Sequence, residues 1–249
     1  MKLSIVGCSG SMSGPDGPAS CYLVEVDGFR LVLDMGHGSL GALQQLIGIS
    51  DIDAIAFTHL HPDHCIDLTA LYVARKFGGY DISARLPVYG PPNCADRMAD
   101  AYGMRRAPGM HSTFDFQHIA RTPNIGPFRV RTARMVHPVE TYAVRLDAAR
   151  VSMVYSGDTG PTPELAQLAD GADLLMAEAS FVDGDDNPAD LHLTGRQAGE
   201  IAKAAGVSHL VITHVPPWND REAVLAEARS AFDGATSLAT SGRTIDVGR

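Results

Sequence analysis

Residues 58–64, Thr-His-Leu-His-Pro-Asp-His, place three histidines and a carboxylate directly after the apolar run 55–57. An apolar strand that ends in such a cluster delivers it to the rim of a sheet. His59 and His61 are two positions apart, so they share one face of an extended backbone, and the turn that follows brings the remaining aspartate and histidine to a neighbouring point. Imidazole nitrogen and carboxylate oxygen are ligands that zinc and similar divalent ions prefer. The segment therefore predicts a metal site, and its geometry suits two ions better than one.

Further polar residues stand at the ends of other apolar strands. They are His137, Asp158, Glu178 and His214, while His192 opens a helix. Strand ends on one rim of a sheet converge in space, so a site built from these side chains needs no special coincidence.

The two groups together supply seven candidate ligands for two divalent ions. The assignment is His59, His61 and His137 for one ion, Asp63, His64 and His214 for the other, and Asp158 bridging both. Two ions about 3.5 to 4 Å apart deprotonate a shared water near neutral pH and steady the oxygens of a transition state. This ligand set is therefore what a two-metal hydrolase requires.

The apolar periodicity predicts two rounds of strands followed by helices. Strands are expected over residues 3–6, 21–26, 29–33, 55–57, 86–90, 128–136, 141–146, 151–155, 173–177 and 209–213, with a weak closing strand. Helices are expected over residues 40–47 with Ser39 as cap, 68–77, 93–102, 163–169 with Thr162 as cap, 194–205 and 220–232. Residues 103–123 give no clear period. Two such rounds predict an α/β protein with two sheets packed face to face and helices outside, in one domain over residues 1–249.

Composition and charge argue against several classes of protein. The formal net charge is −9 and no dense basic run is present, so a grip on long nucleic acid, which relies on Lys and Arg, is not expected. No run approaches the roughly 18 to 20 apolar residues that a membrane span needs. The four cysteines have no paired spacing. We therefore expect a cytoplasmic protein without disulfides; a small anionic substrate stays possible, because two dications make the local field positive.

The ordered motifs resemble those of the metallo-β-lactamase superfamily. The resemblance rests on residues 58–64, His137, residues 156–159 (Ser-Gly-Asp-Thr) and residues 213–214 (Thr-His), and it spans most of the chain. It implies the four-layer αββα sandwich of that superfamily. It does not identify the substrate, because the superfamily contains lactamases, thiolesterases, lactonases, nucleases and dioxygenases.

A second set of motifs is similar to the ribonuclease Z branch. Residues 177–181 (Ala-Glu-Ala-Ser-Phe) and 192–194 (His-Leu-Thr) carry the likeness. In that branch the histidine contacts the scissile phosphate and the glutamate holds it, which implies these roles for His192 and Glu178. A carboxylate partner keeps an imidazole protonated and oriented for donation to a leaving oxygen. With Asp63 of the metal cluster, His192 and Glu178 are the predicted catalytic residues.

The chain departs from ribonuclease Z where that family handles tRNA. The family inserts a long basic arm between the histidine that matches His137 and the aspartate that matches Asp158, and only two strands and residues 147–150 lie between them here. What is left resembles the armless actinobacterial cyclic-nucleotide phosphodiesterases of this fold, through residues 7–11, 14–16, 18–20, 190–193 and 213–218. The resemblance implies a homodimer with two divalent ions, zinc first and manganese or iron as alternatives, acting on a small phosphodiester such as 3′,5′-cyclic AMP.

Three other activities are compatible with the same ligands. An RNA-processing endonuclease of the ribonuclease Z type would use the same catalytic groups. A carbon-ester, lactone or lactam hydrolase would use the metals without His192. A mononuclear iron oxygenase would belong to a different class of enzyme.

The remaining residues of interest have simpler expected roles. Asp34 is expected to brace the metal-binding loop rather than to bind metal, and Cys65 at most lines the site. His37 and Trp218 are left open as substrate contacts. Residues expected to be packed or to lie at the surface are His209, His111 and His118.

Overall fold

Strands and helices follow one another in two rounds along the described residues, 1–80 and 84–248, of a computed structural model. The strands are β1 Lys2–Gly7, β2 Cys21–Val26, β3 Phe29–Leu33, β4 Ala54–Ala56, β5 Leu86–Gly90, β6 Phe114–His118, β7 Asn124–Ile125, β8 Phe128–Arg134, β9 Tyr142–Ala148, β10 Val151–Tyr155, β11 Leu174–Glu178, β12 His209–Thr213, β13 Ala235–Leu238 and β14 Thr244–Asp246. The helices are α1 Ser39–Leu43, α2 Pro62–Cys65, α3 Leu68–Phe77, α4 Cys94–Tyr102, α5 Pro163–Ala169, α6 Gly195–Ala205 and α7 Arg221–Ala231.

The strands form two mixed sheets that follow the same plan. The first sheet has the order β14-β1-β2-β3-β4-β5-β6 and the second the order β13-β12-β11-β10-β9-β8-β7. In the first sheet the pairs from β14 to β3 are antiparallel and those from β3 to β6 are parallel. In the second sheet the pairs from β7 to β10 are antiparallel and those from β10 to β13 are parallel. Each parallel half brings the carboxyl ends of neighbouring strands to one edge, where α/β folds bind their ligands.

Apolar clusters on both faces of each sheet produce four layers. Between the sheets, the rings of Tyr22 and Tyr155 meet edge to face with centroids 4.9 Å apart, within a buried cluster drawn from both sheets. The outer face of the first sheet buries Ile55 against α3 and α4, and the outer face of the second buries Leu210 against α6 and α7. Removal of this apolar surface from water is the main driving force for the packing. The predicted αββα sandwich is confirmed.

The hairpin between β2 and β3 turns as the sequence indicates. Asp27 and Gly28 both have positive φ, 51° and 84°, and Val26 pairs with Phe29 across them. This is the two-residue turn whose twist matches that of the flanking strands.

The start of α1 differs from the prediction. Ser39 is the first helical residue and not the cap, because Gly38 takes the N-cap position with φ 76°. The N–H of Leu40 donates to the carboxylate of Asp67 over 2.8 Å. A residue distant in sequence therefore satisfies the helix start, and α1 ends well before residue 47.

One further expectation needs correction, and the stretch without a clear period contains a strand. Thr162 stands at the N-cap of α5, but its hydroxyl donates to the side chain of Glu164 instead of capping the helix. The stretch 103–123 contains β6, which pairs in parallel with β5. Its alternation of Phe114 and Phe116 with polar residues is too short to separate from a loop by periodicity alone.

None of the helices in the described part of the chain is long and apolar enough to cross a membrane. The organisation of residues 1–249 as one domain stays a prediction.

Candidate metal centre

The predicted site residues lie at strand ends that meet at one edge between the two sheets. The histidine turn follows β4, and Pro62 begins the short helix α2. Asp158 follows β10, Glu178 ends β11, and His214 follows β12. Since β10, β11 and β12 are parallel neighbours, their carboxyl ends present these three side chains together. The site thus draws residues from both sheets.

The first cluster consists of His59, His61, His137 and Asp158, whose ligand atoms all lie within 4.8 Å of one another. The Nε2 atoms of His59 and His137 are each 3.2 Å from Nδ1 of His61. Oδ2 of Asp158 is 3.6 Å from Nε2 of His59. Four ligands held at 2.0–2.1 Å around one tetrahedral ion would be about 3.4 Å from each other. The spacing of this cluster fits a single divalent ion.

The second cluster consists of Asp63, His64, His214 and again Asp158. The Nε2 atoms of His64 and His214 are 3.1 Å apart, and Oδ2 of Asp63 is 3.1 Å from Nε2 of His214. Oδ1 of Asp158 lies 3.2 Å from His64 Nε2 and 3.6 Å from His214 Nε2. The two oxygens of Asp158 therefore face different clusters, as a bridging carboxylate would.

Hydrogen bonds orient two imidazoles through the Thr58–Asp34 pair. The hydroxyl of Thr58 donates to Oδ2 of Asp34 over 2.9 Å, so it accepts from Nδ1 of His59 at 3.1 Å. Nδ1 of His64 is 2.8 Å from the same Asp34 oxygen, which also accepts from Tyr155 at 3.0 Å. Both rings therefore keep Nε2 free for a ligand, which is the usual arrangement around protein-bound metals. The bracing role expected of Asp34 is confirmed.

The other imidazoles are held in the same way. The hydroxyl of Ser180 donates to the carbonyl of His214 over 2.9 Å and accepts from Nδ1 of that ring at 2.8 Å. Nδ1 of His137 donates to the carbonyl of Leu191 over 3.0 Å. In each case Nε2 again points into its cluster with a lone pair available.

Electrostatics in the clusters favour a bound cation. Burial holds the pKa of His59 well below its usual value and lowers the pKa of His61 and His137, so these rings are neutral ligands. Burial also opposes the charged form of His64, but Asp158, Asp63 and Asp34 outweigh it and raise the pKa of that ring well above its usual value. These carboxylates stabilise a positive charge beside Nε2 of His64. Either a proton or a divalent ion can provide that charge.

Asp158 carries the clearest sign that a cation belongs here. Its side chain is buried, and no described residue donates a hydrogen bond to its Oδ1 atom. The ring nitrogens nearest this oxygen, Nε2 of His64 at 3.2 Å and of His214 at 3.6 Å, are themselves candidate metal ligands. A buried carboxylate oxygen that accepts no hydrogen bond is costly unless an ion satisfies it. The donor set of imidazole nitrogens and carboxylate oxygens suits a divalent metal ion of the zinc, manganese or iron type.

Glu178 and His192 form a pair beside both clusters. Nδ1 of His192 is 2.8 Å from Oε1 of Glu178, which is fully buried. The same carboxylate accepts the N–H of Thr159 at 2.8 Å and that of Ser180 at 3.2 Å. Burial lowers the pKa of His192, but the charge of Glu178 outweighs it and raises that pKa to about 9. The carboxylate thus favours the protonated form of His192, whose ring centroid is 5.7 Å from that of His214.

The other histidines fall where the sequence indicates. Nε2 of His209 is 2.9 Å from the hydroxyl of Ser237. His111 is exposed, and Nδ1 of the partly buried His118 accepts the N–H of Ala120. His37 is partly buried, and its role as a substrate contact stays a prediction.

Cys65 and Trp218 occupy opposite environments. Burial raises the pKa of Cys65 to about 12, so this thiol stays protonated and does not compete for metal. The side chain of Trp218 is 66% exposed, which leaves it available to a ligand but does not assign one.

Several residues that orient the site were not found from the sequence. The carbonyl of Leu191 and the hydroxyl of Tyr155 act through tertiary contacts that no local pattern indicates. Ser180 lies inside the segment 177–181 that carries the ribonuclease Z likeness, so that motif was the available signal.

The fold and these clusters define the class of the protein. Two helix-flanked sheets with His and Asp clusters at the edge between them make it a metal-dependent hydrolase. Residues 30–215 match the family described as "Beta-lactamase superfamily domain". The chain belongs to the metallo-β-lactamase superfamily, which confirms the family expected from the motifs.

Individual relatives agree with this assignment. The chain is 39% identical to "Uncharacterized protein ML1173" of Mycobacterium leprae, over 99% of this chain and 89% of that one. It is 28% identical to "Probable metallo-hydrolase YhfI" of Bacillus subtilis, over 97% of this chain and 98% of that one. The crystal structure of YhfI superposes with a TM-score of 0.88 at 26% identity, over 98% of each chain. A ribonuclease Z of Methanothermobacter thermautotrophicus is 26% identical over 99% of this chain and 97% of its own.

Proposed function

We propose that the protein is a dinuclear phosphodiesterase that hydrolyses a small cyclic phosphodiester, with 3′,5′-cyclic AMP as the first candidate. The first cluster would hold one ion, the second cluster the other, and Asp158 would bridge them. Zinc is the first candidate metal, with manganese or iron as alternatives. The cyclic substrate comes from the resemblance described above, and the residues that support it are considered next.

The Glu178–His192 pair is the observation that carries the proposal. The resemblance to ribonuclease Z links such a pair to phosphodiester cleavage, whereas the carbon-ester and lactam hydrolases of the superfamily are expected to use the metals without His192. Nδ1 of His192 is 2.8 Å from Oε1 of Glu178, and the charge of that carboxylate favours the protonated ring. Its ring faces His137 and His214, one ligand from each cluster, with centroids 5.4 and 5.7 Å away. A general acid in this position would act on an oxygen of a substrate bound at both clusters.

The remaining residues would orient the substrate and hold protons. Two divalent ions, when bound, would supply an activated water and neutralise the charge that develops on the phosphoryl group. Asp63 and Asp158 would accept hydrogen bonds from that water, and Glu178 would accept one from Nδ1 of His192, which turns Nε2 of that ring toward the substrate. The proton of His192 would pass to the leaving oxygen as the ester bond to phosphorus breaks.

The connection between the two halves of the site supports a small substrate. β9 and β10 join through Ala149 and Arg150, whose φ angles of 52° and 66° make a tight two-residue turn. The ribonuclease Z alignment extends over 303 positions against the 249 residues of this chain, so that enzyme carries segments without a counterpart here. The formal charge of −9 likewise disfavours the binding of a long polyanion.

The test is a direct assay of the metal-loaded protein on cyclic AMP, cyclic GMP and bis(p-nitrophenyl) phosphate. We expect hydrolysis that chelation abolishes and zinc or manganese restores. His192→Ala should lower kcat/KM by about 10²–10⁴-fold, the usual contribution of a general acid. His111→Ala is the matched control, because this exposed histidine lies in another part of the fold. Intact phosphodiesters in every assay would refute the proposal.

A ribonuclease Z-like endonuclease is the second candidate function. The ribonuclease Z relative, 26% identical over 99% of this chain, is the observation that favours it. Cleavage of a pre-tRNA, with binding that weakens steeply as salt rises, would support this activity over the cyclic phosphodiesterase. Activity on carbon esters that survives His192→Ala would instead support a carbon-ester hydrolase. The homodimer and the cytoplasmic location stay predictions of the sequence.

A further inference from the structure

A backbone amide of the loop after β1 points into the second cluster. The nitrogen of Ser11 lies 3.4 Å from Nε2 of His214, with its N–H directed at that atom. Nε2 of His214 is also the nitrogen that faces His64 and Asp63, at 3.1 Å from each. The N–H of Ser11 therefore enters the space in which the second ion would be coordinated.

The loop is built to reach this point. The N–H of Gly10 donates to the carbonyl of Val215 over 3.2 Å, and the N–H of His214 donates to the carbonyl of Cys8 over 3.1 Å. A Cβ atom at Gly10 would lie 2.3 Å from the carbonyl oxygen of His214, so only glycine allows the approach. Two hydrogen bonds thus join the loop to the His214 segment directly before Ser11.

Ser11 itself has an uncommon backbone conformation. Its φ is 62°, and the N–H of Met12 donates to the carbonyl of Gly10 over 2.7 Å. An i to i+2 bond around a residue with positive φ is a rare and strained turn. Strain of this kind persists where the surrounding structure enforces it and is concentrated at functional sites.

This amide needs a different acceptor once the site is filled. A lone pair of His214 that binds a cation no longer accepts a hydrogen bond, so the Ser11 N–H loses the acceptor that it has here. The ring of His192 also lies beside His214, with the two centroids 5.7 Å apart. The Ser11 N–H and the His192 ring therefore both lie beside His214, the ligand that an anion bound at the second cluster would approach.

We propose that the Ser11 N–H donates a hydrogen bond to a non-bridging phosphoryl oxygen of the substrate, as an anion donor that acts together with His192. The inference rests on the proposed phosphodiesterase function and deepens it. A fixed backbone donor aimed at developing charge costs no reorganisation during the reaction. The same donor should also bind inorganic phosphate, whether or not the protein cleaves a diester.

The test replaces the amide between Gly10 and Ser11 by an ester, which removes this N–H and keeps the side chain. Cys21 permits this in the full chain, because a synthetic segment 1–20 can be ligated to a segment that begins with Cys21. The all-amide product of the same ligation is the reference. An ester at the amide of Asp16, an exposed residue of the same loop, is the matched control.

The readouts are zinc content, the Kd of inorganic phosphate by calorimetry, and kcat/KM on bis(p-nitrophenyl) phosphate. We expect the Ser11 ester to keep its zinc, to bind phosphate at least about 10-fold more weakly, and to lose about 10²–10³-fold in kcat/KM, as loss of one anion-hole donor does. The Asp16 ester should match the reference in all three.

The outcomes separate this proposal from the function it rests on. Weaker phosphate binding by the Ser11 ester in a protein that cleaves no diester would support the donor and refute the phosphodiesterase. A phosphate Kd within about twofold of the reference, or no phosphate binding by the reference itself, would overturn the donor. Loss of zinc from the Ser11 ester would show that the amide supports His214 as a metal ligand. That result would also overturn the proposed role of the amide as an anion donor.

Discussion

Removal of the Asp34 carboxylate should damage the fold and the metal centre together. Asp34 is fully buried and accepts four hydrogen bonds. The donors are the N–H and hydroxyl of Thr58, Nδ1 of His64 and the hydroxyl of Tyr155, at 2.8 to 3.0 Å. The variant Asp34→Ala leaves all four without this acceptor.

The expected loss of stability depends on the donors that cannot reach another acceptor. The hydroxyls of Thr58 and Tyr155 can rotate, but the Thr58 N–H and the His64 ring N–H cannot. Each such buried donor costs about 1–3 kcal/mol, so we expect Asp34→Ala to lower the free energy of unfolding by about 2–6 kcal/mol. The loss of an oriented His64 should also weaken zinc binding by about 10–100-fold.

The assay is urea unfolding of chelator-treated protein, with zinc affinity measured separately by competition with a chelating dye. Asp27→Ala is the control for the backbone, since Asp27 also has positive φ, 51° against 57° for Asp34, but lies exposed in a hairpin turn. Asp34→Asn, which keeps one acceptor oxygen, should fall between wild type and Asp34→Ala. If Asp34→Ala lost no more stability than Asp27→Ala and kept its zinc affinity, the bracing argument would be refuted.

Three further changes test other parts of the site. Glu178→Gln should lower kcat/KM on a phosphodiester by about 10–100-fold with zinc content unchanged, because His192 loses its charged partner; an unaltered kcat/KM would contradict the pairing. Asp158→Asn should bind fewer zinc ions per chain by elemental analysis, since one bridging oxygen is lost, and full retention of zinc would argue against a shared ligand. Gly10→Ala should lower the thermal midpoint and the activity together, because its Cβ would meet the carbonyl of His214 at 2.3 Å; a wild-type midpoint would show that the loop can move aside.

The ligands of the centre could be predicted because they follow apolar strands. His59, Asp158 and His214 each come within three residues of the end of such a strand, and the carboxyl ends of neighbouring parallel strands share an edge. Fold class and ligand set therefore depend on patterns that are local in sequence, and the structure brings the same residues together.

What the sequence could not supply are contacts that depend on packing. Leu191 contributes only a carbonyl to His137, and any residue type could do so at that position. Asp67 caps α1 from a distance, which is why Ser39 was misassigned. The role of the Ser11 N–H could not be predicted from the sequence for the same reason. This donor belongs to the backbone, and the surrounding loop fixes its direction.

The division of the centre between two sheets also bears on how the protein folds. His64 and His214 are 150 residues apart in sequence, yet their ring nitrogens are 3.1 Å apart. Contacts of such long range form late, after the entropy of closing the intervening chain has been lost. A complete second cluster should thus exist only after the sheets have docked. The rate of zinc uptake during refolding would then report the rate of the last folding step. Secondary structure would appear earlier and at its own rate.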